Sequence, residues 1–210
     1  MKKYLGVGNL IFILIFILID SFNCNMLNED IIALFYDPNI PQHEFAANDI
    51  KAALEAKNYI VNIKSLDDLS ENYKEKKVVI TLATDDQVLS LFEAQGGSSI
   101  NNLSEQAYAL RTTTKPLKSY WVFGGDDNGA MYGGLQVAEY INFQGLSEEH
   151  NEEESPYLKN RGVKFNIPLD RESPTYYYST EGTSHKVAIK HVWDMEFWTT
   201  WFDEMARHRY

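Results

Sequence analysis

The stretch VFGGDDNGAMYGG, residues 122–134, constrains this chain more than any other. A strand-like run, SYWVF, enters a glycine-rich turn, and an apolar, helix-like run, AMYGGLQVAEYI, leaves it. Many α/β proteins use a strand, a glycine turn and a helix to hold a phosphate at the helix N-terminus. The residues here argue against that use. The dinucleotide fingerprint needs glycines at the first, third and sixth positions of the turn, and Gly124, Gly125 and Gly129 do not have that spacing. A phosphate loop needs Gly-Lys-Ser or Gly-Lys-Thr, whereas Gly129 is followed by Ala130 and Met131. Asp126 and Asp127 stand at the helix start, where they supply the negative charge the helix dipole favours and repel a phosphate. One of them is the natural N-cap. Gly133 and Gly134, one turn into the helix, cost stability unless they permit close backbone approach. The glycines are therefore expected to pack a helix onto a sheet, with no nucleotide and no other cofactor.

Upstream, DIIALFYD (residues 30–37) reads as a buried strand. HEFAANDIKAALEAKN reads as a helix with Phe45, Ile50, Ala53 and Leu54 near one face. YIVNIKS and KKVVITLAT read as strands, and DDQVLSLFEA as a short helix capped by Thr84 or Asp85. GGSSINNLS is a loop. QAYALRTT and SYWVF are strands joined by a hairpin-length turn containing Pro116, and a helix follows over residues 128–141. Mixed strands and helices without a fixed-period repeat predict an α/β or α+β class.

SEEHNEEESP (residues 147–156) is a charge run ending in proline. Clustered glutamates can hold a hard cation, but like charges repel and resist packing, so residues 144–158 are expected to be a solvated acidic linker. Beyond it, NRGVKFNIPLD reads as one strand, RESPTYYYSTEGTSHK as a long aromatic loop, and HVWDMEFWTTWFDEMARHRY as an amphipathic helix. Trp193, Phe197, Trp201 and Met205 fall four apart on that helix, with Trp198 and Phe202 beside them. One strand and one helix with so wide an apolar stripe cannot close a core alone, so they are expected to open a repeating β/α fold.

The formal charge is −11 over 210 residues, and no basic stripe is visible, which argues against a nucleic-acid surface. With 44% hydrophobic residues the chain can still bury a core. Lys2 and Lys3 precede an apolar run over residues 5–19, shorter than the ~20 residues a spanning helix needs. A charged start before a short apolar core predicts an export signal over residues 1–24. Cys24 is the only cysteine, so no intrachain disulfide can form. It stands where a bacterial lipoprotein carries its acylated cysteine, and membrane attachment through that lipid is one reading. The other is that it falls within or beside the discarded signal. His185 and His191 lack a third ligand at metal spacing, and neither the cysteine nor any serine sits in a nucleophile motif.

LSEQAYALRTT, KSYWVFGGDDNGAMYGGLQVAEYI and the residues around them resemble the small α/β domain that precedes the barrel in β-hexosaminidases and α-glucuronidases. Gly125, Asp126, Gly129, Tyr132, Gly134, Leu135 and Gln136 match its Gly-Asp-x-x-Gly turn and the helix after it, with an extra glycine at Gly133. NRGVKFNIPLDR resembles the first barrel strand of those hydrolases, and FWTTWFDEMARHRY is similar to their first barrel helix. The resemblance implies a small mixed-sheet hexosaminidase-like domain over residues 30–143. The start of an incomplete (β/α)8 barrel would follow over residues 159–210. It implies an exported glycoside hydrolase acting on a glycan, with its catalytic acids on later strands and no catalytic residue in the small domain.

Glycosidases typically flank the scissile bond with two carboxylates ~5–9.5 Å apart. No convincing pair stands at the ends of two neighbouring strands here. The substrate-binding residues the resemblance implies are Asp170 and Arg171, just past the end of the first barrel strand, where barrel sites form. Arg161, at the other end, would be structural. An alternative reading is a non-catalytic carbohydrate-binding or cell-surface interaction module that presents Tyr176, Tyr177 and Tyr178 to a glycan. Mass spectrometry of protein from its native host should find residues 1–20 removed. An intact leader would refute export by cleavage, and an acyl mass on Cys24 would mark the lipoprotein form.

Overall fold

The computed structural model describes residues 31–70, 73, 75–146, 149–164, 171–172, 174–178, 184–188 and 190–210, with backbone alone at 174–178 and 184–188. The export-signal residues, Cys24 and Asp170 lie outside these. The chain divides into two compact units, one through Ser155 and one from Pro156 to Tyr210.

The first unit is built on a six-stranded sheet. Its strands are β1 (Ile31–Tyr36), β2 (Ile60–Ser65), β3 (Lys77–Leu82), β4 (Tyr108–Thr113), β5 (Ser119–Gly124) and β6 (Asn151–Glu154), in the spatial order β2-β1-β3-β5-β4-β6. β2, β1, β3 and β5 run parallel, while β4 is antiparallel to both β5 and β6. The class is α/β. β1, β3 and β5 are almost wholly buried, as strands with helices over both faces must be, and so they read as unbroken apolar runs. β2 lies on the edge and leaves Ile60 and Ile63 exposed.

Alternation along the strands sorts side chains onto two faces. Ala33, Phe35, Val79, Ala109, Trp121 and Phe123 point to one face, against Val88 and Phe92 of helix α2 (Asp86–Ala94). Helices α1 (Pro41–Ala56) and α3 (Asp127–Gln144) pack over the other. α1 begins with proline at its first turn, where no N–H is needed. Of the two caps considered for α2, Asp85 is the one used: its carboxylate accepts from the N–H groups of Gln87 and Val88, both at 3.1 Å. α3 is one residue longer at its start and three longer at its end than expected.

The glycines of α3 do the packing work expected of them. A Cβ on Gly133 would stand 2.7 Å from Val122 Cγ1 and 3.0 Å from Tyr108 Cβ, so this position faces the sheet. A Cβ on Gly134 would stand 2.7 Å from Ala46 Cβ, so the next position faces α1. Two adjacent glycines thus let one helix approach two neighbours.

The linker expectation for residues 144–158 is corrected at 151–154, which form edge strand β6 against β4. The charge run packs because donors meet it. Arg111 on β4, only 5% exposed, donates to the Glu152 carbonyl at 2.9 Å and pairs with the Glu153 carboxylate. The Asn101 backbone N–H adds a bond at 3.2 Å and its side-chain amide one at 2.6 Å. These bonds hold the Glu153 pKa below the usual carboxylate value, although partial burial pushes it the other way.

In the second unit, the expected aromatic loop 171–186 contains strand β7 (Pro174–Tyr178), which pairs antiparallel with β8 (Ser184–Ala188). Each strand is only five residues long and finds its partner in the other, which a reading of one segment at a time does not reveal. Residues 161–164 of the expected first barrel strand are not in a strand, and 165–170 lie outside the described residues. The amphipathic helix is α4 (Met195–Arg207), entered through a 3-10 turn at Lys190–Trp193. None of its residues is buried, and Trp193 and Phe202 stay exposed. Among the described residues no helix is long and apolar enough to cross a membrane.

Gly134→Val should destabilise the first unit by at least about 1 kcal/mol, because neither the Ala46 methyl nor the helix backbones can step aside. Urea unfolding followed by tryptophan fluorescence measures it, and an unchanged midpoint would contradict the close approach.

Candidate functional site

The parallel strands end at one edge of the sheet, the edge where α/β proteins usually place ligands. At the end of β5 that edge is filled by the protein itself. β5 ends at Gly124, whose carbonyl accepts from the Ala83 N–H at 2.8 Å, and the Gly125 N–H donates to the Ala107 carbonyl at 2.8 Å. The Asp126 carboxylate accepts from the Gly129 N–H at 2.7 Å and from the Gln106 N–H at 3.0 Å. Asp126 therefore caps α3 and ties down the strand-entry loop of β4 at once. A Cβ on Gly125 would run into the Ser104 carbonyl, and one on Gly129 into the Ala107 carbonyl. Residues 103–107 pack directly on the turn, and the Gly129 N–H at the start of α3 is already given to Asp126.

Next to the cap, Asp127 approaches His43 of α1, with Nε2 and Oδ1 3.5 Å apart. The ring is 1% exposed. At that length the contact counts as an ion pair only if the ring is charged. Neither ring nitrogen makes a hydrogen bond. Burial pulls the His43 pKa below its ordinary value, and the carboxylates of Asp127 and Asp37 offset part of that pull. The ring is therefore neutral at pH 7. Sequence reasoning passed over His43. The available signal was its spacing, since it shares the buried face with Ala46, Ala47, Ile50, Ala53 and Leu54.

Two buried cations were also missed. Arg111 is the clamp on β6 described above. Lys77, at the start of β3, is 1% exposed and lies 5.6 Å from the Trp121 ring, and burial pushes its pKa down to about 8. The described residues contain no group of three or more His, Cys, Asp or Glu side chains able to hold a metal ion.

Of the two residues expected to bind substrate, only Arg171 is described. It is exposed in a turn, with its guanidinium 3.8 Å from the Asp194 carboxylate. An exposed pair of that length contributes at most about 1 kcal/mol. The neighbouring Glu172 pairs with Lys190 at 2.7 Å. Arg161 donates to the Leu158 carbonyl at 3.2 Å. The side chains of Tyr176, Tyr177 and Tyr178 lie outside the described residues.

No protein-family model matches the chain, and no curated protein matches it. Similar solved structures include a GH138 enzyme targeting pectin rhamnogalacturonan II, with a TM-score of 0.48 and 19% identity over 85% of this chain. CpGH84D is another, with a TM-score of 0.41 and 14% identity over 59% of this chain. The chain spans 23% of the first and 19% of the second. Likenesses at this level assign no sugar, reaction or site residue.

Asp126→Ala should cost about 1–2 kcal/mol, because it removes the α3 cap and orphans the Gln106 N–H. Asp126→Asn, which keeps an acceptor, should recover part of the loss. Equal unfolding midpoints for wild type and Asp126→Ala would show that the cap does not hold the turn.

Proposed function

We propose that these 210 residues are the amino-terminal part of an exported glycoside hydrolase that acts on an oligosaccharide or polysaccharide. In this reading the unit through Ser155 is a structural domain, the unit from Pro156 begins the catalytic domain, and the catalytic carboxylates lie outside this chain. One observation carries the proposal. The residues that match the Gly-Asp-x-x-Gly turn and its helix, Gly125, Asp126, Gly129 and Gly134, are committed to capping and close packing. That is the non-catalytic role the resemblance to hexosaminidases and α-glucuronidases implies for them. No residue of α4 is buried, and its Met195 and Phe202 are exposed, which agrees with a helix that needs further elements against it.

The sugar contact assigned in this reading is Arg171, with Asp170 beside it. A guanidinium has planar, forked donors that can grip two hydroxyl oxygens at once. The long, exposed pairing with Asp194 leaves little to lose when a sugar takes its place. Export brings the protein to its glycan, and a lipid on Cys24 would keep it at the cell surface.

The 210-residue chain alone should not turn over an aryl glycoside, whereas the product of the complete gene should. Turnover by the isolated chain would refute the reading. In the complete protein, Arg171→Ala should lower kcat/KM while Arg161→Ala should act on stability. A change in kcat/KM within about twofold, or ~0.4 kcal/mol, would remove Arg171 from the sugar site.

A further inference from the structure

We infer that His43 is a proton-gated fastening between α1 and α3, whose neutral ring fits the closed seam and whose protonation loosens the first turn of α1 from the glycine turn. The inference is independent of the glycosidase reading. Its basis is where the ring lies. His43 is the third residue of α1, and Asp127 is the first residue of α3, so two helix N-termini converge on one buried imidazole. The positive ends of both helix dipoles oppose a cation there. So does the loss of water, since the ring is 1% exposed. Both ring nitrogens and Asp127 Oδ1 are buried without a hydrogen bond. A second N–H on the ring would add a buried donor, and the acceptor beside the ring, Asp127 Oδ1, stands 3.5 Å from Nε2.

The titratable groups around it are few. Asp127 of α3 and Asp37 in the turn after β1 favour the proton. Glu44 follows His43 on α1 and acts with burial on Tyr36, at the end of β1, to raise the tyrosine pKa. Asp127 is half in water, with 43% of its side chain exposed, so its field at the ring is partly screened. Burial outweighs the two carboxylates, and the folded pKa lies below the ordinary value. The sign follows. A group whose proton is disfavoured by folding adds stability that is complete above its unfolded pKa of about 6.5. That contribution is lost as the pH falls from there through the folded value. The first turn of α1 is expected to give way before the rest, because the close packing of Ala46 against Gly134 lies one turn farther on.

NMR titration of the His43 ring in the full chain tests this directly, with the midpoint expected below 6.5 and lower still in Asp127→Asn. A midpoint at or above 6.5 would overturn the inference. Hydrogen exchange at residues 43–47, corrected for intrinsic rate, should show protection lost at pH 5.0 relative to pH 7.5, and to a larger degree than at residues 50–54. Equal protection at the two pH values would overturn it as well. In urea, His43→Gln should lose less stability than wild type between pH 7.5 and 5.0. Equal losses would mean that the ring only fills space. If the variant does not fold, the wild-type titration and exchange still decide.

Discussion

The first unit depends on how closely α3 can lie against its surroundings. One helix has to touch β4 and β5 on one side and α1 on another, and at two consecutive positions there is no room for a side chain. Each glycine costs roughly 0.5–1 kcal/mol of helix propensity. The cost is met by burial, since Ala130, Leu135, Val137, Ala138 and Ile141 of the same helix are all withdrawn from water. The direction of α3 is set at its start, where Asp126 holds the first turn and the entrance to β4 together. A helix that began one residue later, or leaned a little outward, would lose both the cap and the glycine contacts.

Polar groups follow the same economy. The helices that open at the ligand edge carry acidic residues in their first turns: Glu44, Asp86 and Asp127. That arrangement satisfies the dipoles from within and gives an anion no reason to enter. Arg111 is the counterpart on strand β4. It lies buried, so its charge needs a partner, and the acidic strand β6 brings one. The acidic run that looks like a linker is thereby drawn into the fold at 151–154. The unit gains an edge strand whose exposed charges discourage pairing with another chain.

Much of this was legible along the chain. The strand runs, the short helix after β3, the β4–β5 hairpin and the structural nature of the glycine turn all rest on local signals: periodicity, capping aspartates and glycine spacing. β6 was not legible. Its charge density reads as solvated, and the residue that neutralises it, Arg111, lies 42 positions away from Glu153. The pairing of β7 with β8 was hidden among residues that read as loop. His43 was hidden too, because a histidine in the first turn of a helix gives no sign that the helix will be pressed against a second N-terminus.

The sequence by itself determined most strands and helices of the first unit to within a few residues, which of their faces are apolar, and that Gly133 and Gly134 must mark close contact. These are properties of a residue and its near neighbours, and the chain carries them wherever it goes. The tertiary structure alone decided which surfaces those glycines meet, that a run of glutamates becomes a strand, and that one imidazole loses its water. Each of these is set by a partner distant in sequence and by desolvation. Burial and charge pairing exist only once the layers have come together.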